Sequence, residues 1–419
     1  MHVYFSGIGG SGLGPLALLA RDCSYDVSGS DLSDSSFTNK LRDTGIDVSI
    51  GEQDGSNIKS LHEKKPIDWF VYTAALPMDH PELTFASTNP DIRSTKRDEF
   101  INHILKDKDL HLIAVSGTHG KTTTTAMLIW LFNQFSIPIA YQVGTNLPWG
   151  PSAQYVEGAQ YFIYEGDEYD RNMLHFHPDV TVLPSLDYDH PDTYPTREIY
   201  AQAFRDFAEQ SEHVITWKSV VENASLVDID TVLDDDVDIS SIELAGKHNR
   251  QNAYLATLAF HYVMNHIPKQ DIIPAINHFP GTERRFERIS HNLYSDYAHH
   301  PTELASVVQM ASELEEGPVV IYQPHQDKRQ REIASEYKDA FTKASKVYWL
   351  PTYNPSGRDT DDALKPEELI RNLANPEIAE VAEMNEDLKK QINHHIENGA
   401  LVVACSAGTL DTWIRQNFS

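Results

Sequence analysis

Lys121 stands at the end of a glycine turn and is followed directly by four threonines, in the stretch AVSGTHGKTTTTAML at residues 114–128. An ammonium, a row of hydroxyls and glycine-freed backbone amides at the start of a helix are the parts that hold a phosphate chain. Lys121 supplies a full charge, and the Thr122 hydroxyl is placed to reach a magnesium ion. The strict P-loop pattern has a glycine five positions before Gly120, where this chain has Val115, so SGTHGKT is a shortened variant. Gly117, Thr118, His119, Gly120, Lys121, Thr122 and Thr123 are the candidate turn of an ATP or GTP site.

A second glycine turn opens the chain. In SGIGGSGLG, Gly7, Gly9 and Gly12 have the G-x-G-x-x-G spacing of a dinucleotide turn, and Asp31 follows where a ribose-binding acid is expected. Alone, this pattern points to an NAD-dependent dehydrogenase. A magnesium-binding phosphate site is surplus to that chemistry, however, and such a turn recognises a diphosphate joined to a ribose, which a UDP-sugar also carries.

Carboxylates cluster at two further points. YEGDEYD holds Glu165, Asp167, Glu168 and Asp170, and DYDHPDTY holds Asp187, Asp189, His190 and Asp192. Each follows an apolar stretch, and magnesium ligands belong at strand ends beside a phosphate turn. A zinc hydrolase built on DYDHPD and DYAHHP is a third reading, but it lacks a helical H-E-x-x-H and any cysteine ligand.

The elements that must position these residues fall into three blocks, predicted as domains at 1–107, 108–280 and 281–419. In the first, the strand stretches HVYFSG, YDVSGSD and DWFVYTAAL alternate with the helices LGPLALLARD and SSFTNKLRDTG, which predicts a Rossmann-like parallel sheet. The charged LKDKDL separates it from the second block, a P-loop domain with strands in QYFIYEGDEYD and DVTVLPSLDYDH and the amphipathic helix TREIYAQAFRDFAEQ. The acidic DIDTVLDDDVDISSIE is expected as a solvated hairpin or loop, ahead of the helices NRQNAYLATLAFHYV and QDIIPAINHF. The third block alternates NLYSDYA, PVVIYQPH, KVYWLP and LVVACSAG with helices, a second doubly wound sheet. The fold class is therefore α/β with three domains.

Bulk composition narrows the partners. With 419 residues and a net charge of −28, the chain is a poor match for a nucleic-acid backbone or an anionic membrane. Its two cysteines, Cys23 and Cys405, give no disulfide framework. No apolar run reaches the roughly 18 residues of a membrane span, and the N-terminus enters a strand directly, so a cytoplasmic location is expected.

Seven motifs, SGTHGKTTTT, EGDEYD, DYDHPDTY, KHNRQNA, GTERRFE, DYAHHPTE and QPHQDKR, stand in the order found in the Mur ligases of peptidoglycan synthesis, and the chain resembles that family over essentially its whole length. The opening GIGGSGLGPLA and SGSD look most like the members that add L-alanine to UDP-N-acetylmuramate. The resemblance implies an ATP- and Mg2+-dependent carboxylate–amine ligase that proceeds through an acyl phosphate, as a monomer or weak homodimer. It implies that Gly9, Gly10, Ser11, Gly12, Ser30, Asp31, Thr73 and His299 contact the sugar substrate, and that Thr122, Glu165 and His190 hold magnesium. Asn249 and Asn252 match adenine-reading positions, although Asn249 also suits a helix cap. Arg285 looks like a phosphate contact and Asp296 like a ribose partner. Lys121, His190, His325 and Arg329 are the implied catalytic set, with His325 and Arg329 at the amino-acid end. The helix TREIYAQAFRDFAEQ contains no lysine, so the carbamylated lysine of several relatives has no counterpart here. EGDEYD also resembles the tripeptide-recycling members. A regulator that uses ATP as a switch, without forming an amide, remains a further alternative.

Overall fold

The structure, a computed structural model, describes all residues except 74–75, 191–192, 355–363 and 419. The first sheet contains β1 (His2–Ser6), β2 (Asp26–Asp31), β3 (Asp47–Ile50), β4 (Trp69–Tyr72) and β5 (Arg93–Lys96), all parallel, in the order β3-β2-β1-β4-β5. The chain leaves central β1 into the first glycine turn, where strand order reverses. That is where open α/β sheets bind ligands.

The second sheet contains β6 (His111–Val115), β7 (Ala140–Gln142), β8 (Ala153–Tyr155), β9 (Tyr161–Glu165), β10 (Val180–Leu183), β11 (Val214–Trp217) and β12 (Thr231–Leu233). Its order is β12-β11-β10-β6-β9-β7-β8, and only β7 and β8 run antiparallel. β6 lies between β9 and β10, so the Lys121 turn emerges flanked by the loops that carry both acidic motifs. The helix Lys121–Gln134 then buries Met127, Leu128, Ile129, Leu131 and Phe132, with Phe132 edge-on to Phe260 at 4.9 Å.

The third sheet contains β13 (Glu287–Ser290), β14 (Leu293–Asp296), β15 (Val319–Gln323), β16 (Lys346–Trp349), β17 (Ala379–Val381) and β18 (Val402–Ser406), in the order β13-β14-β18-β15-β16-β17. Successive side chains of a strand point to opposite faces, and the two faces are separately covered. Val320, Tyr322, Val347, Trp349, Val403 and Cys405 pack with Leu304, Val308 and Phe341. Val319, Ile321, Tyr348, Val402 and Ala404 pack with Leu388, Ile392, Leu410 and Ile414. Helices therefore clothe both sides, as expected for a strand such as VVIYQ that is buried on both faces.

Two expectations need correction. The acidic stretch is loop and turn for most of its length and forms no hairpin; Thr231–Leu233 within it pairs in parallel with β11 as an edge strand. LKDKDL is not purely a linker, because its first residues complete the helix Arg97–Asp107. By contact density, Met1–Asp238 with Leu255–Ile276 form one compact unit, and Ile239–Tyr254 with Asn277–Ser419 form another. Among the described residues, no helix is long and apolar enough to cross a membrane.

Candidate active site

The Lys121 turn is held in shape by its neighbours. Gly117 sits at φ +130°, and a Cβ there would lie 2.5 Å from the Ser185 carbonyl oxygen, so only glycine fits. The Thr118 amide donates to that same carbonyl (3.2 Å), the Thr118 hydroxyl donates to the Asp187 carbonyl (2.6 Å), and the His119 amide donates to Ser185 Oγ (2.8 Å). These contacts tie the turn to the exit of β10. Gly120, at φ +82°, precedes the helix, whose first turn has neither a side-chain cap nor an acidic residue. Its amides and positive dipole end suit an anion. Thr123 lies on this same turn, half-buried.

Lys121 points back over the turn. Its Nζ donates to the carbonyls of Gly117 (2.7 Å) and Thr118 (3.1 Å) and pairs with both Glu168 oxygens (2.8 and 3.0 Å). His190 Nε2 lies 3.3 Å from Glu168 Oε1. Burial alone would raise the Glu168 carboxyl, but the Lys121 ammonium and the His190 ring outweigh it and hold it below its ordinary range. Asp170, Arg171 and His190 adopt φ of 53°, 58° and 54°, the left-handed region that non-glycine residues avoid. Both segments that bring Glu168 and His190 to the lysine thus contain strained backbone.

Glu165 ends β9 beside the same helix. Thr122 Oγ1 donates to Glu165 Oε1 at 2.7 Å, and the Gly144 amide donates to Oε2 at 2.7 Å. A hydroxyl and an oriented carboxylate at this spacing are hard oxygen donors of the kind magnesium takes, so the residues fit that ion. His190 faces Glu168 rather than Glu165. Asp192 lies outside the described residues. Among the described residues, no group of three or more His, Cys, Asp or Glu is arranged to hold a metal.

At the first glycine turn the expected ligand groups are partly engaged by the protein. Gly10 and Ser11 are exposed, and Thr73 packs against Gly7. Asp31 Oδ2 accepts from the Gly9 amide at 2.8 Å, and Oδ1 from the Ser33 amide at 3.3 Å. The Ser30 hydroxyl points inward and donates to Glu82 Oε2 (2.7 Å), which also accepts from Ser6 Oγ (2.6 Å), while Tyr4 donates to Glu82 Oε1 (2.9 Å). Arg97 packs against Gly12: a Cβ on Gly12 would lie 2.8 Å from Arg97 Nη1. Its Nη2 donates to Asp167 Oδ2 at 3.2 Å.

In the C-terminal unit, Asp296 ends β14 and accepts from the amides of Phe286 and Ala298, both at 2.7 Å. Burial pushes its carboxyl up to about 6 against the pull of Arg285. The guanidinium groups of Arg284 and Arg285 lie 4.6 and 5.2 Å from the Tyr297 ring centre. His299 and His325 follow β14 and β15 and meet ring to ring at 5.8 Å, while Arg329 occupies the helix Asp327–Ile333. Asn249 lies within the helix Lys247–Val263 and its Nδ2 donates to the Ala245 carbonyl (3.1 Å), and Asn252 is buried.

Sequence reasoning missed Glu168 as a partner of Lys121, the cation Arg97 and the buried Glu82. Glu168 stood among the carboxylates of EGDEYD, but nothing local distinguishes it from Asp167 or Asp170. Arg97 and Glu82 carried no motif at all.

Three family models match the chain: Mur ligase family, catalytic domain, at residues 2–109; Mur ligase middle domain at 115–220; and Mur ligase, glutamate ligase domain, at 284–408. The chain is 30% identical over 429 residues to the UDP-N-acetylmuramate–L-alanine ligase of Lactobacillus helveticus, covering 94% of each. In fold it is similar to the UDP-N-acetylmuramate–alanine ligase of Thermotoga maritima (TM-score 0.76, 23% identity, 99% of this chain and 98% of that one). It is also similar to a murein peptide ligase of Psychrobacter arcticus (TM-score 0.64, 23% identity, with the same coverage). With all three models matched in order and the relatives covered almost end to end, this chain belongs to the Mur ligase family.

Proposed function

We propose that the protein is an ATP-dependent ligase that joins L-alanine to UDP-N-acetylmuramate in the cytoplasm. The observation that carries this reading is the meeting of Lys121, the Thr122–Glu165 pair and the uncapped helix start at the carboxyl ends of the adjacent strands β6 and β9. The sugar acid's carboxylate oxygen attacks the γ-phosphorus, the bond to the β,γ-bridging oxygen breaks, and ADP leaves. The amine of alanine then attacks the acyl carbon, the C–O bond to phosphate breaks, and an amide and inorganic phosphate result. Phosphoryl transfer of this kind needs positioning and charge neutralisation more than covalent help. Lys121 and the helix amides of Thr122 and Thr123 hold phosphate oxygens.

Thr122 and Glu165 are the residues that would hold Mg2+, with His190 at a second site; bound there, the ion neutralises phosphate charge. His325 and Arg329 take the carboxylate of alanine, and Arg285, Asp296, Asn249 and Asn252 serve the nucleotide. Gly10, Ser11, Gly12 and Arg97 receive the diphosphate end of the sugar nucleotide. The test is phosphate release with UDP-N-acetylmuramate, ATP and a panel of free amino acids beside the recycled tripeptide. Turnover with alanine supports the reading, and turnover with the tripeptide alone replaces it by peptide recycling.

A further inference from the structure

A lysine ammonium has three N–H donors. On Lys121, two go to the carbonyls of Gly117 and Thr118, which belong to its own turn and fix where the ammonium lies. The third goes to Glu168, which arrives from a loop 47 residues away. The Glu168 side chain is only 3% exposed, and the Tyr194 hydroxyl donates to its backbone carbonyl at 2.5 Å. A buried ammonium requires an anion, and a phosphate oxygen is also an anion. With two donors fixed on the turn, a phosphate reaches Lys121 through the third donor, which Glu168 now occupies.

We propose that Glu168 is a built-in stand-in for nucleotide phosphate: it neutralises Lys121 in the nucleotide-free protein and yields the third N–H when nucleotide binds, while staying beside His190. This rests on the reading of Lys121 as a phosphate-binding residue. Its consequence is a trade. The empty site is stabilised, and nucleotide must displace an internal competitor to enter.

Glu168→Gln keeps the shape and one acceptor oxygen but removes the charge. The experiment measures binding of the β,γ-methylene analogue of ATP with Mg2+ by calorimetry, together with the thermal midpoint without nucleotide. The expected result is a lower midpoint and an analogue Kd at least tenfold tighter than in the unmodified protein. Glu168→Asp, whose shorter arm retreats from Lys121, should tighten binding by a smaller factor, which covers the case in which Glu168→Gln does not fold. In a Lys121→Ala background, Glu168→Gln should no longer tighten binding. A purely structural role would lower the midpoint and weaken the analogue together. Equal or weaker analogue binding in the folded variants overturns the proposal, and so does a failure of the unmodified protein to bind the analogue. Absence of phosphate release with UDP-N-acetylmuramate and alanine would instead sink the ligase reading and leave this affinity comparison standing.

Discussion

Arg97 joins the first glycine turn to the acidic loop after β9: one guanidinium nitrogen lies against Gly12 and another donates to Asp167, 3.2 Å away. Asp167 adjoins Glu168, so the cation that borders the first glycine turn pairs one residue away from the partner of Lys121.

Arg97→Ala should therefore raise KM for the UDP-sugar by roughly tenfold to a hundredfold, the range of a charge-assisted contact. KM for ATP should stay within a few fold. Gly12→Ala, by pushing the guanidinium aside, should reproduce part of that loss. Steady-state kinetics with each substrate varied in turn would decide the point, and equal effects on both KM values would refute it.

Lys121→Ala should abolish turnover by about 10³-fold or more while leaving UDP-sugar binding nearly intact. It should also destabilise the folded protein, because it strands the buried Glu168 carboxylate; removing one member of a buried pair costs about 3–5 kcal/mol. Adding Glu168→Gln to Lys121→Ala should restore most of that stability without restoring activity. Denaturant unfolding of the single and double variants measures the coupling.

The C-terminal unit carries two opposed pH effects. Burial lowers the His248 ring to about 4, so its contribution is present above the ordinary histidine range and lost as pH falls from about 6.5 toward 4. Asp296, raised to about 6, behaves the opposite way: its contribution is present below about 4 and lost as pH rises toward 6. Each shift of about two units corresponds to about 3 kcal/mol, so across pH 4–6.5 the two nearly cancel. Asp296→Asn should unmask a loss of stability toward acid, and His248→Phe a loss toward neutrality. Parallel slopes in the two variants would rule this out.

Arg329→Lys retains charge but loses the planar fork that grips a carboxylate in two places. KM for alanine should rise while KM for ATP stays within a few fold. A tripeptide spreads its binding over more groups and should suffer less from the same change. Comparing both acceptors in the unmodified protein and this variant checks the assignment.

The phosphate turn was legible because its parts are contiguous: strand, glycines, lysine and helix follow within fifteen residues, and each obeys a local rule. Central strands such as HLIAV and VVACS were equally plain, since burial on both faces makes them continuously apolar. Short edge strands were not, because Thr231–Leu233 is three residues set among acidic neighbours and gains its strand character by pairing with β11. The same physics hid Glu168, Arg97 and Glu82. Their meaning lies in partners 47, 70 and 76 positions away, and a carboxylate looks alike in sequence whether it is solvated or clasped by an ammonium.

The Gly9–Asp31 hydrogen bond bears on any re-engineering of this domain. The residue that a dinucleotide-binding sheet would offer to a ribose here serves as a fastener for the turn itself. Any redesign that replaces Asp31 to change ligand class must therefore give the turn another anchor before it can accept a new guest.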